Sequence, residues 1–203
     1  MVMILQKKFK QNKIILLLPN VISITRVLLT ICLNIILWKS FHDMIRIILI
    51  NIMIYISDFS DGKLAKWLNA ESKTGELFDS IADIFYIVTS YILLISYNLI
   101  SIYLLIMIIA EYAVFIITSH LVTNNTDNKL IFDGFGRILA GGFYIYPLLV
   151  YILFLNLSYD YFNMISLILE IILIIGTIIQ IHQRKKLTYK SKPDGDLSNQ
   201  ELP

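Results

Sequence analysis

Four aspartates within 26 residues pose the chemical question. In DFSDGKLAKWLNAESKTGELFDSIAD, residues 58–83, Asp58 and Asp61 are spaced i, i+3 and Asp79 and Asp83 are spaced i, i+4. At helical periodicity each pair shares one face. The first pair falls at the end of one apolar run and the second at the start of the next, so a short turn brings the pairs together. Carboxylates that converge beside a low-dielectric layer repel, and some would take up protons. Divalent cations reverse that balance and keep all of them ionised. With oxygen donors alone and no His or Cys in the stretch, a hard ion such as Mg²⁺ or Mn²⁺ is favoured over zinc. Gly62, Ala65 and Gly75 are small where the helices must approach, which leaves room for a flat ligand against backbone. A phosphate-bearing substrate suits such a site, because magnesium is commonly shared between carboxylates and phosphates. Taken singly, an aspartate at a helix end is more often a cap or a solvated charge. The joint set of four Asp, two Gly and one Ala at fixed spacing arises by chance on the order of once in a million in a chain of this length.

The elements that must carry these residues are long and apolar. Of 203 residues 57% are hydrophobic and 16% charged, against roughly 45–50% and about 25% in an ordinary soluble domain. Six runs, at 20–38, 44–60, 75–96, 101–121, 135–156 and 162–182, approach the about 20 residues that a spanning helix needs. The expected fold class is therefore all-α, a polytopic membrane protein with six transmembrane helices forming one catalytic domain over residues 19–183. Pro19 suits the first turn of the first helix, where a missing N–H costs little. Residues 1–18 carry Lys7, Lys8, Lys10 and Lys13 and lack a small-residue cleavage site. They read as a basic amphipathic helix on the membrane surface rather than a signal peptide. Residues 184–203 read as a polar, disordered tail.

Fifteen of the seventeen Lys and Arg fall on one side of this six-span arrangement, and only Lys39 and Arg46 on the other. The positive-inside rule makes the first side cytoplasmic, with both termini and the aspartates there. A formal net charge of +2, with the cations clustered, argues against a nucleic-acid surface. The lone Cys32 excludes an internal disulfide and reads as a small core residue. The tyrosines and tryptophans read as interface belts and core, Gly134, Gly136, Gly141 and Gly142 as close helix packing, and Glu111 and Glu170 as buried packing or subunit contacts.

The aspartate stretch resembles the signature of the CDP-alcohol phosphatidyltransferases, DxxDGxxAR, eight residues, then GxxxDxxxD. Here it reads Asp58, Asp61, Gly62, Ala65, Lys66, eight residues, Gly75, Asp79, Asp83, with Lys66 in the arginine position. PNVISITR, from Pro19 to Arg26, is similar to the PNxxTxxR opening of the family's first helix, with Ser23 for Thr. The resemblance implies that the hydroxyl of an acceptor alcohol attacks the lipid-bearing phosphorus of CDP-diacylglycerol within the lipid bilayer, and that CMP leaves. It implies two divalent ions held by Asp58, Asp61 and Asp79, with Asp83 touching a metal and taking the proton from the attacking hydroxyl. Gly62, Ala65 and Gly75 would line the CMP pocket, with Asn20 and Arg26 supporting it from the first helix. Lys66 keeps the charge of the family arginine and loses its two-pronged donor geometry. GRILA, from Gly136 to Ala140, is similar to the start of the fifth helix in members that take phosphorylated acceptors, which gives Arg137 an acceptor-binding role. A homodimer is expected by the same analogy.

Two alternatives use similar residues. A UbiA-like membrane prenyltransferase also combines aspartate-rich motifs with magnesium, but spreads its motifs over distant halves of a longer chain. A cation transporter would hold its carboxylates near the bilayer midplane, whereas these lie at the edge. The acceptor stays open among glycerol 3-phosphate, inositol or its phosphate, serine and other lipid alcohols. Neither a GKxKT-like nor a GLPxP-like run is present, and the preference for a phosphorylated acceptor rests on Arg137.

Overall fold

Leucine keeps helical geometry at little entropic cost, while isoleucine, a weaker helix former, depends on the burial its side chain gains. Runs of both, rarely interrupted by Gly or Pro, make nearly every described residue helical. The computed structural model describes residues 18–68, 73–123 and 134–190. Side chains are described throughout except at 18–20, 61–62, 65–66, 68, 73–74, 76–77, 119–123 and 187–190. Six helices result: α1 (Leu18–Lys39), α2 (Met44–Leu68), α3 (Lys73–Ser96), α4 (Ile102–Thr123), α5 (Gly134–Asn156) and α6 (Tyr159–Lys190). Among the described residues there is no strand.

Five of the six apolar runs lie within one helix each, and the run at 101–121 starts one residue before α4. By length and composition, Val21–Lys39, Phe78–Ser96, Gly134–Asn156 and Tyr159–Lys186 are able to cross a membrane, and Ile102–Thr118 is a shorter apolar helix. Many large hydrophobic side chains stay exposed along them, among them Ile24, Leu28, Ile45, Ile106, Ile138 and Ile172, which is the surface a lipid solvent requires. α2 differs because its last third carries Asp58, Asp61, Lys63 and Lys66. The stretch beyond Ser60, expected as a loop, continues as helix to Leu68. Leu64, Ala65, Trp67 and Leu68 sustain the helix there, and Gly62 alone does not break it. At the other terminus α6 runs on to Lys190, past the point where a disordered tail was expected to begin. The expected surface helix, residues 1–17, and residues 191–203 of the expected tail lie outside the described residues. Cys32, expected in the core, is exposed on α1. It is set one position off the buried Leu33, so it faces the other way.

The chain divides into two compact units. The first contains α1, α2, α3 and α5 from Tyr144 onward. Leu33, Leu37, Ile47, Ile54 and Leu94 are buried within it. The end where α1 and α3 terminate is closed by aromatics: the Phe41 ring lies 4.3 Å from Tyr97, 5.3 Å from Tyr151 and 5.7 Å from Phe154. The Tyr97 hydroxyl donates to the Leu37 carbonyl at 3.0 Å and the Tyr151 hydroxyl to the Phe41 carbonyl at 2.7 Å. Each such ring pair contributes about 0.5–1.5 kcal/mol beyond burial. Asn98, with φ of 57°, stops α3 in a left-handed cap, and the Leu99 N–H reaches back to the Leu94 carbonyl at 3.0 Å. Asp43 caps the start of α2 through the Arg46 N–H at 3.4 Å.

The second unit contains α4, the first part of α5 and α6. Ser166, Glu170, Thr177, Gln180 and Arg184 are buried along one seam of α6 at alternating spacings of three, four or seven, and Glu111 is buried on α4. Glu170 accepts the Ser101 N–H at the start of α4 at 2.9 Å. The close packing expected of the glycines holds at Gly142, where a Cβ would meet Leu173 at 3.4 Å; Gly176, not singled out from the sequence, is tighter still, with Leu139 at 3.0 Å. It does not hold at Gly134 and Gly141, which face open space.

Candidate active site

Three helices of the first unit each present a polar stripe in an otherwise apolar surface. On α1 the stripe is Ser23, Arg26 and Thr30, all buried; on α2 it is Asn51, Tyr55 and Asp58; on α3 it is Asp79, Asp83, Tyr86 and Ser90. Steps of three and four residues keep each set on one helical face. The stripes meet at the end of α2 and the start of α3.

Asp58, Asp79 and Asp83 each offer a carboxylate oxygen, and these three oxygens lie within 4.8 Å of one another. The Arg26 guanidinium sits among them. Its Nη1 is 3.0 Å from Asp58 Oδ1, 2.8 Å from Asp79 Oδ1 and 2.6 Å from Asp83 Oδ1. Arg26 is 0% exposed, while the three carboxylates keep 30–39% exposure. The cation is therefore behind the acids, and the acids line the opening. One positive charge facing three negative ones leaves an excess of negative charge among these side chains, which more cations or their equivalent must offset.

Beneath the carboxylates lies a tier of tyrosines. The Tyr86 hydroxyl donates to Asn51 Oδ1 at 2.8 Å and is 3.1 Å from the Tyr55 hydroxyl, which in turn donates to the Tyr144 carbonyl at 3.4 Å. The Tyr55, Tyr86 and Tyr144 rings pack at 4.7–6.2 Å. Asn51 anchors the tier by donating from Nδ2 to the Ile47 carbonyl at 2.8 Å. This tier fixes the α2 and α3 registers one turn below Asp58 and Asp83. Sequence reasoning missed it. The signal was present in the spacing of Asn51, Tyr55 and Asp58 and of Asp83, Tyr86 and Ser90, each on the face of its aspartates.

Of the residues singled out from the sequence, the structure brings Asp58, Asp79, Asp83 and Arg26 together. Gly75 is half-buried in the first turn of α3. Asp61, Gly62, Ala65 and Lys66 lie on the α2 helix and Asn20 on α1, but their side-chain positions fall outside the described residues. Arg26 does not extend to the surface as a membrane-anchoring arginine would. Arg137 is exposed in the first turn of α5, within the second unit.

The fit of this site to divalent ions follows from its donors. All are carboxylate oxygens, they converge within one ion's reach of each other, and a buried cation already occupies their focus. The sequence pattern of the CDP-alcohol phosphatidyltransferases matches residues 16–179, four-fifths of the chain and all of the site. The chain belongs to that family. Neither a curated protein nor a solved structure matches it. As a CDP-alcohol phosphatidyltransferase it is a transferase of substituted phosphate groups in phospholipid biosynthesis, with a CDP-alcohol and an acceptor alcohol as its substrates. The family uses divalent metal ions, and the aspartate cluster is where this member has the donors for them. Membership together with the long apolar helices makes the chain an integral membrane protein, and it removes the prenyltransferase and transporter alternatives.

Proposed function

We propose that this phosphatidyltransferase transfers the phosphatidyl group of CDP-diacylglycerol to a phosphorylated acceptor alcohol, glycerol 3-phosphate first among them, at the cytoplasmic edge of a six-span homodimeric membrane domain. The observation that carries this reading is the convergence of Asp58, Asp79 and Asp83 around one focus. Asp61, three residues beyond Asp58 in the sequence, is assigned to the same set.

In the reaction the acceptor hydroxyl oxygen forms a bond to the lipid-bearing phosphorus, and the bond from that phosphorus to the CMP oxygen breaks. The hydroxyl proton passes to Asp83, the most buried of the three carboxylates, and CMP departs with the bonding electron pair. Asp58, Asp61, Asp79 and Asp83 would hold the divalent ions, Mg²⁺ or Mn²⁺, which when bound would neutralise charge at the diphosphate. Gly62, Ala65 and Gly75, which lack bulky side chains, let the nucleotide approach backbone, while Asn20, Arg26 and Lys66 bear on the diphosphate side. Arg137 gives the acceptor's phosphate a guanidinium with two parallel donors. The excess of Lys and Arg near one set of helix ends supports the cytoplasmic placement. Ile and Leu side chains exposed along the described helices, including the apolar first half of α2, support six spans.

The test is CMP release by the purified full chain in detergent, with CDP-diacylglycerol, Mg²⁺ and a panel of acceptors. Release is expected to require Mg²⁺ or Mn²⁺, to stop with EDTA, and to be fastest with glycerol 3-phosphate. Full activity in EDTA would falsify the metal reading, and faster turnover of inositol or serine than of any phosphate ester removes the phosphorylated acceptor.

A further inference from the structure

A single nitrogen of Arg26 serves three carboxylates. Nη1 lies 2.6–3.0 Å from one oxygen each of Asp58, Asp79 and Asp83, and the residue is 0% exposed. An arginine that only orients one acid places two nitrogens along one carboxylate. Here a charged atom stands instead at the common focus of three acids from two helices.

A divalent ion and the guanidinium compete for the same carboxylate oxygens. A hard divalent ion bonds carboxylate oxygens at about 2.0–2.1 Å, shorter than the N–O distances of 2.6–3.0 Å here, and so would draw on the oxygens that Nη1 now holds. The guanidinium cannot yield by losing its proton, because its pKa is too high. Nor can it be left without a counter-charge in a buried position, where an unpaired charge is strongly destabilising. Once drawn off these carboxylates it gains from a further anion, and the anion that arrives with the reaction is a diphosphate, which a guanidinium binds through paired donors.

We propose that Arg26 is an exchangeable counter-cation: it holds the three aspartates together before loading, is displaced from them by divalent ions, and turns to the diphosphate of the incoming nucleotide-lipid. The inference rests on the reading of the aspartate cluster as a divalent-ion centre. Its consequence is that Arg26 weakens metal binding in the substrate-free protein, the opposite of what a supporting residue does. Arg26 is thus a positioning residue for the carboxylates in one state and a ligand for phosphate in the other. Three negative charges near a membrane boundary do not have to wait, unpaired, for metal. The exchange also links the two substrates' order, since diphosphate that accepts the guanidinium favours metal entry and metal entry favours diphosphate binding, by equal factors.

The experiment is Mn²⁺ binding to the full chain in detergent without substrate, read by the electron paramagnetic resonance signal of free Mn²⁺. Arg26→Gln is expected to bind Mn²⁺ about tenfold or more tightly than wild type, and Arg26→Lys, which keeps one charge on a smaller head, to fall between. In the wild-type chain, the ¹⁵N side-chain signal of Arg26, assigned by its loss in Arg26→Lys, is expected to shift when Mg²⁺ is added. This measurement holds even if Arg26→Gln does not fold. Mn²⁺ binding that is unchanged or weaker in both variants, with wild-type binding intact, overturns the exchange and leaves the metal centre standing; so does an arginine signal that Mg²⁺ does not move. Absence of Mn²⁺ binding in wild type and variants alike overturns both.

Discussion

The two units each bury an arginine deep among apolar helices, and they treat it differently. Arg26 is 0% exposed and meets three carboxylates. Arg184, 3% exposed on α6, lies over the Phe115 ring at 4.4 Å and donates to Thr118 Oγ1 at 3.4 Å. A guanidinium over a ring gains about 0.5–2 kcal/mol, and its planar face packs like an apolar group. A guanidinium among acids gains more and also risks more, since removal of either side strands a buried charge. The lesson is that burial of a cation in a membrane bundle does not itself mark chemistry. At Arg26 the mark is the three carboxylates within 3.0 Å of one nitrogen.

That contrast can be tested from its most sensitive point outward. Asp83→Asn keeps shape and hydrogen-bonding capacity but removes the negative charge nearest Nη1. CMP release should fall by about a thousandfold, the scale of losing a general base, while the melting temperature stays within a few degrees of wild type. A loss of folding together with activity would make Asp83 structural and erase the difference between the units. Arg137→Ala should raise the KM for a phosphorylated acceptor about tenfold, equivalent to about 1.4 kcal/mol, with the KM for CDP-diacylglycerol unchanged. Equal weakening of both substrates would reduce Arg137 to an interfacial anchor. The smallest effect belongs to Arg184→Leu: turnover at saturating substrate within about twofold of wild type, and a melting temperature lower by about 2–6 °C as the ring contact is lost. An activity loss as large as that of Asp83→Asn would show that the second unit's arginine also serves the reaction.

How much of this was legible in the sequence depends on the kind of signal. The helices were legible, because long apolar runs have few other conformations open to them, and each of the six runs coincides with a helix, although among the described residues only four of these helices are long and apolar enough to cross a membrane. The family was legible because the aspartate and glycine spacing is a joint constraint that chance seldom satisfies. The helical character of residues 61–68 was hidden, since charges and a glycine at the end of an apolar run look like a loop even where the i, i+3, i+4 pattern persists. Cys32 shows the opposite failure. Residue type placed it inside, yet the period of α1, fixed by Leu33 and Leu37, turns it outward. The tyrosine tier was obscured by the versatility of tyrosine, which serves equally at a membrane interface and in a core. Only its register with Asp58 and Asp83 tells the two apart. A lone arginine near a helix start is ordinarily an interfacial cation, and no local pattern around Arg26 reveals that three acids from two other helices will reach it.

The aromatic closure around Phe41 has a mechanical meaning. It ties the ends of α1, α3 and α5 to one another at the end of the first unit opposite the carboxylates, through ring contacts and two tyrosine hydroxyls. From Asp83 to Tyr97 the axis of α3 runs about 21 Å at 1.5 Å per residue. A rod pinned at one end amplifies rotation at the other: a tilt of about 5° about the Phe41 cluster moves the carboxylates by about 2 Å. With the tyrosine tier holding α3 beside Asp83 and the Phe41 cluster holding its other end, the helix that carries two of the acids is braced at both ends.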